Sequence, residues 1–227
     1  MIVFIHGFMG SPNFFCGLAT RARDMGHKSA SVVLSGHCGK GAAYARARRQ
    51  DWARDVRRVT ESADEPVLLV GHSIGGLLAV RAAAENPNVK GLFLISTPLK
   101  LNVFSPPALW RRFWDLFNPL IRKANTELCG VPLSSPYVWL GFASALQVPL
   151  LIRESKPLAE RLNIPVVTVH SRRDEVVSFK SAEMFAKRLA NAKHEGIELS
   201  VSRHTWFEAG EWGIVEARFA EFVSVPW

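Results

Sequence analysis

Six short apolar runs, mostly β-branched, recur along the chain: "IVFI" (2–5), "SASVVL" (29–34), "PVLLV" (66–70), "GLFLI" (91–95), "IPVVTV" (164–169) and "IELSV" (197–201). Each is bounded by Gly, Pro, Asn or Ser and reads as a buried strand. Between them, 41–62, 76–86, 178–191 and 211–223 carry helical spacing. Strand alternating with helix predicts a mostly parallel sheet with helices on both faces. One interval breaks the rhythm. Residues 98–162 contain no strong strand, are rich in Trp, Phe, Leu and Pro, and are too long for a plain loop. They predict a helical cap inserted into a core formed by 1–97 and 163–227. Within the cap Trp110, Phe113, Trp114 and Phe117 recur at three- and four-residue steps, with Arg111 and Arg112 off the stripe. That is an amphipathic helix.

Composition narrows the class without changing this picture. A chain of 227 residues suffices for one well-buried core. No apolar run approaches the ~20 residues of a spanning helix, and "MIVFIHG" lacks the basic flank of a signal peptide. A cytoplasmic protein is expected. Cys16, Cys38 and Cys129 are odd in number and widely spaced, as free thiols would be. The formal charge of +8 raises the question of acidic partners. Its densest run, "YARARRQDWARDVRR" (44–58), is interrupted by Asp51 and Asp55 and has no recognition motif beside it. A solvated helix face is expected there, and no nucleic-acid partner.

The chemistry centres on "GHSIG" (71–75), a G-x-S-x-G placed after a predicted strand and before a predicted helix. A serine raised on so sharp a turn holds strained backbone, and the flanking residues approach closely enough to require glycine. The helix that follows directs its free N–H groups at the hydroxyl. A nucleophilic serine needs a base, and the base needs an orienting carboxylate. Asp174, in "VVTVHSRRDEVV", follows the fifth predicted strand; His204, in "SRHTWF", follows the sixth. In an open parallel sheet those ends share one edge, so Ser73, Asp174 and His204 can meet there. Glu175 is the rival carboxylate; His194, before the last predicted strand, and His170, at a strand terminus, are poorer bases. For the oxyanion, Ile74 and Phe8 supply backbone N–H groups, with Met9 as the fallback. Met9 and His72 would also line the pocket. His6 would shape its own loop, and His27 and His37 fall on surface or loop.

On "HGFMGS", "LSGHCGKG", "GHSIGG", "HSRRDEVV" and "SRHTWF", in order along almost the whole chain, the sequence resembles the α/β-hydrolases. It is similar to small bacterial carboxylesterases and the monoacylglycerol lipase group. The resemblance implies a six-stranded, essentially parallel sheet with helices on both faces and a helical lid at 98–162. It also implies a serine carboxylesterase working through an acyl-enzyme intermediate on a small-molecule ester, with no metal or organic cofactor. "LSGHCGKG" departs from the usual L-x-GHG turn, which shapes the pocket wall. The same triad also serves menaquinone-pathway-type lyases, C–C hydrolases and thioesterases. A non-catalytic binding protein on this scaffold is a further alternative, although no triad residue is missing. In the cap, Trp110, Phe113, Trp114 and Phe117 either pack the insertion, line an acyl pocket, or touch a membrane surface.

Overall fold

The computed structural model describes residues 1–38, 41–102 and 144–226. Six strands form one sheet: β1 (Ile2–Ile5), β2 (Ser29–Val32), β3 (Val67–His72), β4 (Val89–Ile95), β5 (Val166–Ser171) and β6 (His194–Leu199). They lie in the order β2-β1-β3-β4-β5-β6 and pair in parallel throughout. The described helices are α1 (Cys16–Asp24), α2 (Gly41–Arg46), α3 (Arg49–Glu61), α4 (Ile74–Glu85), α5 (Gln147–Ala159), α6 (Lys180–Arg188) and α7 (Ala209–Ser224).

Alternation along the strands builds two cores. Val3, Ile5, Leu69, Leu92 and Leu94 pack with Trp52 and Val56 of α3, Leu77 and Leu78 of α4, Leu151 of α5 and Phe185 of α6. The intervening Ile2, Phe4, Leu68, Val70 and Phe93 pack with Leu18 of α1 and with Val215 and Phe219 of α7. Phe4 joins the second layer through its ring contacts with Phe15 and Phe219. Successive residues thus serve opposite faces, which is why these strands are apolar on both. Strand order reverses between β1 and β3, the place where an open α/β sheet leaves a crevice at its carboxyl edge.

Three local features depart from the sequence expectation. The segment 41–62 is two helices, because Arg48 is extended and its N–H donates to the Asp51 carboxylate at 3.0 Å, starting α3 afresh. A nine-residue helix, α1, precedes β2, with Leu18 and Ala22 as its buried residues. The last strand begins at His194, three residues before the expected 197, and stops at Leu199. The amides of Ser200, Val201 and Ser202 leave the ladder for the Glu211 carboxylate. His194 therefore opens β6 rather than preceding it, and its Nε2 meets Thr168 Oγ1 at 2.9 Å.

Helix α5 falls within the interval 98–162 and packs on α4; Arg49 and Arg81 both reach its Glu154. Trp110, Phe113, Trp114 and Phe117 lie outside the described residues. In the basic run, Arg49, Arg54 and Arg57 pair with carboxylates. No described helix is long and apolar enough to cross a membrane.

Candidate active site

Strained backbone collects at the carboxyl edge of the sheet. Among the described residues, the non-glycine positions with positive φ are Met9, Cys38, Ser73 and Ser96, which follow β1, β2, β3 and β4 respectively. Such residues cost energy and persist where surrounding structure dictates them. Ser73, at φ 53° and ψ −122°, is the single residue between β3 and α4. Its N–H donates to Ile95 O at 2.9 Å, tying the bend to β4. The glycines around it are required by contact. A Cβ on Gly71 would stand 2.5 Å from Gly76 Cα, one on Gly75 2.0 Å from Ile5 O, and one on Gly76 1.9 Å from Thr97 Oγ1. A bend this tight delivers the N-terminus of α4 directly to the hydroxyl.

Ser73, His204 and Asp174 meet in one hydrogen-bonded line. His204 Nε2 lies 3.1 Å from Ser73 Oγ, and His204 Nδ1 lies 2.9 Å from Asp174 Oδ2. The other carboxylate oxygen, Asp174 Oδ1, accepts Val176 N–H at 2.8 Å and Val177 N–H at 2.7 Å. Burial alone would raise the Asp174 carboxyl. The His204 charge and ring hydrogen bond, with the two amides, outweigh it and hold the group below its ordinary value. A carboxylate so held fixes the imidazole with its proton on Nδ1 and leaves Nε2 to accept from the serine.

The main chain of His204 is held separately. Its N–H donates to Glu175 Oε2 at 3.3 Å, and its carbonyl accepts His72 Nε2–H at 2.9 Å. Glu175 therefore supports the histidine backbone, while Asp174 takes the ring. His72 is buried and stacked on Phe14 with ring centroids 4.0 Å apart. Burial first, then the nearby His204 charge, pushes its pKa down to about 3, so it stays a neutral donor. Behind the loop, Ser171 Oγ donates to Ser202 O at 2.5 Å, and Glu211 collects the amides of 200–202 and Ser202 Oγ. Sequence reasoning singled out neither Ser202 nor Glu211. His170 is buried within β5 and donates to or accepts from no triad atom; its Nε2 meets Thr97 O.

The turn after β1 runs beside the serine. A Cβ on Gly7 would lie 3.1 Å from Ser73 Cβ and 2.8 Å from His72 Nδ1, so the Gly7–Phe8 peptide passes against the elbow. Gly10 N–H closes the turn on Gly7 O at 3.0 Å. Met9, the fallback donor, has its N–H directed to His37 Nε2 at 3.2 Å. The N–H groups of Phe8 and Ile74 have no acceptor among the described residues. The Phe8 side chain turns inward, against His37, Tyr44 and Trp52. His37 is on a turn as expected, but buried rather than at the surface. A hydroxyl, an imidazole and a carboxylate in line, with two free amides beside the hydroxyl, can carry out nucleophilic acyl transfer.

Comparison with known proteins gives a consistent set. The family model described as "Alpha/beta hydrolase family" matches residues 2–225. The chain is similar to a thermostable monoacylglycerol lipase of Bacillus sp. (strain H-257), 23% identical over 215 residues, covering 89% of this chain and 82% of that protein. It is also similar to the mitochondrial palmitoyl-protein thioesterase ABHD10 of Homo sapiens, 25% identical over 222 residues, covering 92% and 68%. Among solved structures, the monoacylglycerol lipase of Paleococcus ferrophilus superposes with a TM-score of 0.73 at 18% identity, over 98% of this chain and 93% of that one. At that identity the likeness shows the fold.

Proposed function

This chain belongs to the alpha/beta hydrolase family, and on that premise we propose that it is a serine hydrolase of carboxylic esters acting through an acyl-enzyme intermediate. The observation that carries the proposal is the unbroken Ser73–His204–Asp174 line beside two free amides.

His204 Nε2 takes the Ser73 proton as Oγ attacks the ester carbonyl. The carbonyl oxygen, now negative, is held by the N–H groups of Ile74 and Phe8. Asp174 keeps the imidazole in its tautomer and stabilises the imidazolium without itself taking the proton. His204 then returns the proton to the departing alkoxide. A water activated by the same nitrogen attacks the acyl-enzyme, passes through a second oxyanion, and releases the acid and a regenerated Ser73. The proton transfers use groups of this chain that lie within hydrogen-bond distance of one another.

The test is turnover of p-nitrophenyl esters from acetyl to dodecanoyl by the parent and by Ser73→Ala. Turnover that peaks at one chain length and falls at least about 10³-fold in Ser73→Ala supports the proposal. A parent inert to the whole series overturns the ester assignment. The similarity to a palmitoyl-protein thioesterase favours a second substrate class for the same serine, long-chain acyl thioesters. Acyl-coenzyme A hydrolysis monitored by thiol release separates the two.

A further inference from the structure

The turn that carries Phe8 is held in an uncomfortable conformation, and one side chain opposes its relaxation. Residues 7–10 close on themselves through Gly10 N–H and Gly7 O, with Met9 in the third position at φ 58°. Positive φ at that position and not at Phe8 is the type II arrangement, which glycine adopts freely at its third position and methionine does not. Rotating the Phe8–Met9 peptide would give the type I turn, in which methionine is unstrained. The Met9 N–H would then swing away and the Phe8 carbonyl would take its place.

His37 meets that peptide. Its Nε2 lies 3.2 Å from Met9 N, where an acceptor suits the type II turn and where the flipped carbonyl would find no donor. An imidazole nitrogen that accepts carries no proton, so the proton sits on Nδ1, facing Ser35 O at 3.4 Å. The ring is well founded. Ser35 O also accepts Trp52 Nε1–H at 3.1 Å, Ser35 N–H donates to Asp55 at 2.6 Å, and His37 N–H donates to Leu34 O at 2.9 Å. His6 repeats the device from the other side, accepting Leu34 N–H on Nε2 at 3.2 Å and donating Nδ1–H to Gly7 O at 2.9 Å. The two rings meet edge to face at 4.8 Å. Burial drives His6 down to about 4 and His37 down to about 3, with the neighbouring His6 charge a second cause for His37, so both rings are neutral at physiological pH.

We propose that His37 is the positioning residue of the oxyanion turn: by accepting the Met9 amide it anchors the turn, and so holds in place the adjoining Gly7–Phe8 peptide whose amide is the free donor beside Ser73. The proposal rests on the serine-hydrolase assignment above. It gives His37 no contact with the reacting atoms.

His37→Leu fills the space without an acceptor, and His37→Gln returns a carbonyl oxygen near the Nε2 position. Losing one oxyanion donor outright costs about 10²–10³ in kcat. A turn released from this anchor displaces that donor rather than removing it, and should lose about 10- to 100-fold. The expectation is that His37→Leu shows this loss in kcat with KM within threefold of the parent, and that fluorophosphonate labelling of Ser73 slows in proportion. His37→Gln should recover to within about fivefold of the parent. Thermal denaturation of each variant confirms that the assay reads folded protein. Histidine-selective 15N spectra of the parent, with the His37 signals identified by their loss in His37→Gln, should show the proton on Nδ1. His37→Leu retaining a third or more of the parent kcat, a loss confined to KM, a Gln variant no better than Leu, or a proton on Nε2 overturns the proposal. A parent inert both to esters and to the fluorophosphonate instead overturns the hydrolase assignment and the oxyanion role with it. The 15N spectrum then still decides whether His37 holds the turn.

Discussion

Gly75 and Gly76 are adjacent, and both abut other parts of the fold, but their substitutions should fail in different ways. A Cβ on Gly76 meets a side chain: Thr97 Oγ1 at 1.9 Å, Cγ2 at 2.8 Å and Cβ at 2.9 Å. Optimal contacts lie at about 3.5–4.0 Å between carbons, so the hydroxyl must move well over 1 Å in a fully buried site. Overpacking of this kind costs about 1–3 kcal/mol. Thr97→Ala removes the two atoms that can be removed, and Thr97 Oγ1 has no hydrogen-bond partner to lose. That single change should cost about 1–2 kcal/mol for the lost packing. The pair Gly76→Ala with Thr97→Ala should then lie at least about 1 kcal/mol above the sum of the single effects, helped by the better helix propensity of alanine.

The three atoms nearest a Cβ on Gly75 are all backbone: Ile5 O at 2.0 Å, with Ile5 C and His6 O at 2.7 Å. No truncation relieves it. Either the end of β1 or the start of α4 must shift by about 1 Å, and each carries one proposed oxyanion donor. A misplacement of that size costs about 10² in rate, or about 2.7 kcal/mol in the barrier. Urea unfolding followed by tryptophan fluorescence gives the stability cycle, and ester turnover with fluorophosphonate labelling gives the rate. A neutral Gly76→Ala, strict additivity with Thr97→Ala, or a Gly75→Ala protein working at the parent rate would refute this account of the elbow.

Two further outcomes follow from groups that surround the site. His6, His37 and His72 are held to about 4, about 3 and about 3 chiefly by burial, whereas in the unfolded chain they titrate near 6.5. A folded value below the unfolded one means that this stability is complete above pH 6.5 and lost as pH falls toward the folded values. The three together should remove about 4 kcal/mol per pH unit below 6, and about 10 kcal/mol by pH 4. Against a typical domain stability of about 5–15 kcal/mol, acid unfolding by far-UV circular dichroism should begin well above pH 4, and a chain fully folded there would contradict the burial argument. Glu211 accepts the amides of Ser200, Val201 and Ser202 and the Ser202 hydroxyl in the loop leading to His204. Glu211→Gln, whose amide group opposes some of those donors, should lower kcat about tenfold with little change in KM; a kcat within twofold of the parent would sever the loop from the chemistry.

The difference between what the chain disclosed in advance and what it concealed has a physical basis. Steric demands write themselves into spacing: Gly71, Gly75 and Gly76 had to be small because other backbone and Thr97 stand within 2.5 Å of where a Cβ would go. The strand–helix alternation and the order Ser73, Asp174, His204 were likewise legible, since each rests on periodicity or on where strands end. Helix α1 was not, because two buried apolar positions in nine residues make too thin a stripe. The break at Arg48 and the early end of β6 were hidden for another reason. Both are set by a carboxylate, Asp51 or Glu211, that takes backbone amides away from regular structure. His37 acts in the same way on Met9. Every residue but proline carries an amide, so its capture by a side chain leaves no partner residue type to find in the sequence. A reacting serine, its imidazole and the carboxylate on that ring must each be a particular residue, whereas the groups that hold the surrounding loops need only find main chain. The loop-holding residues of such a site, Glu211 and His37 here, are therefore the ones that a folded structure reveals.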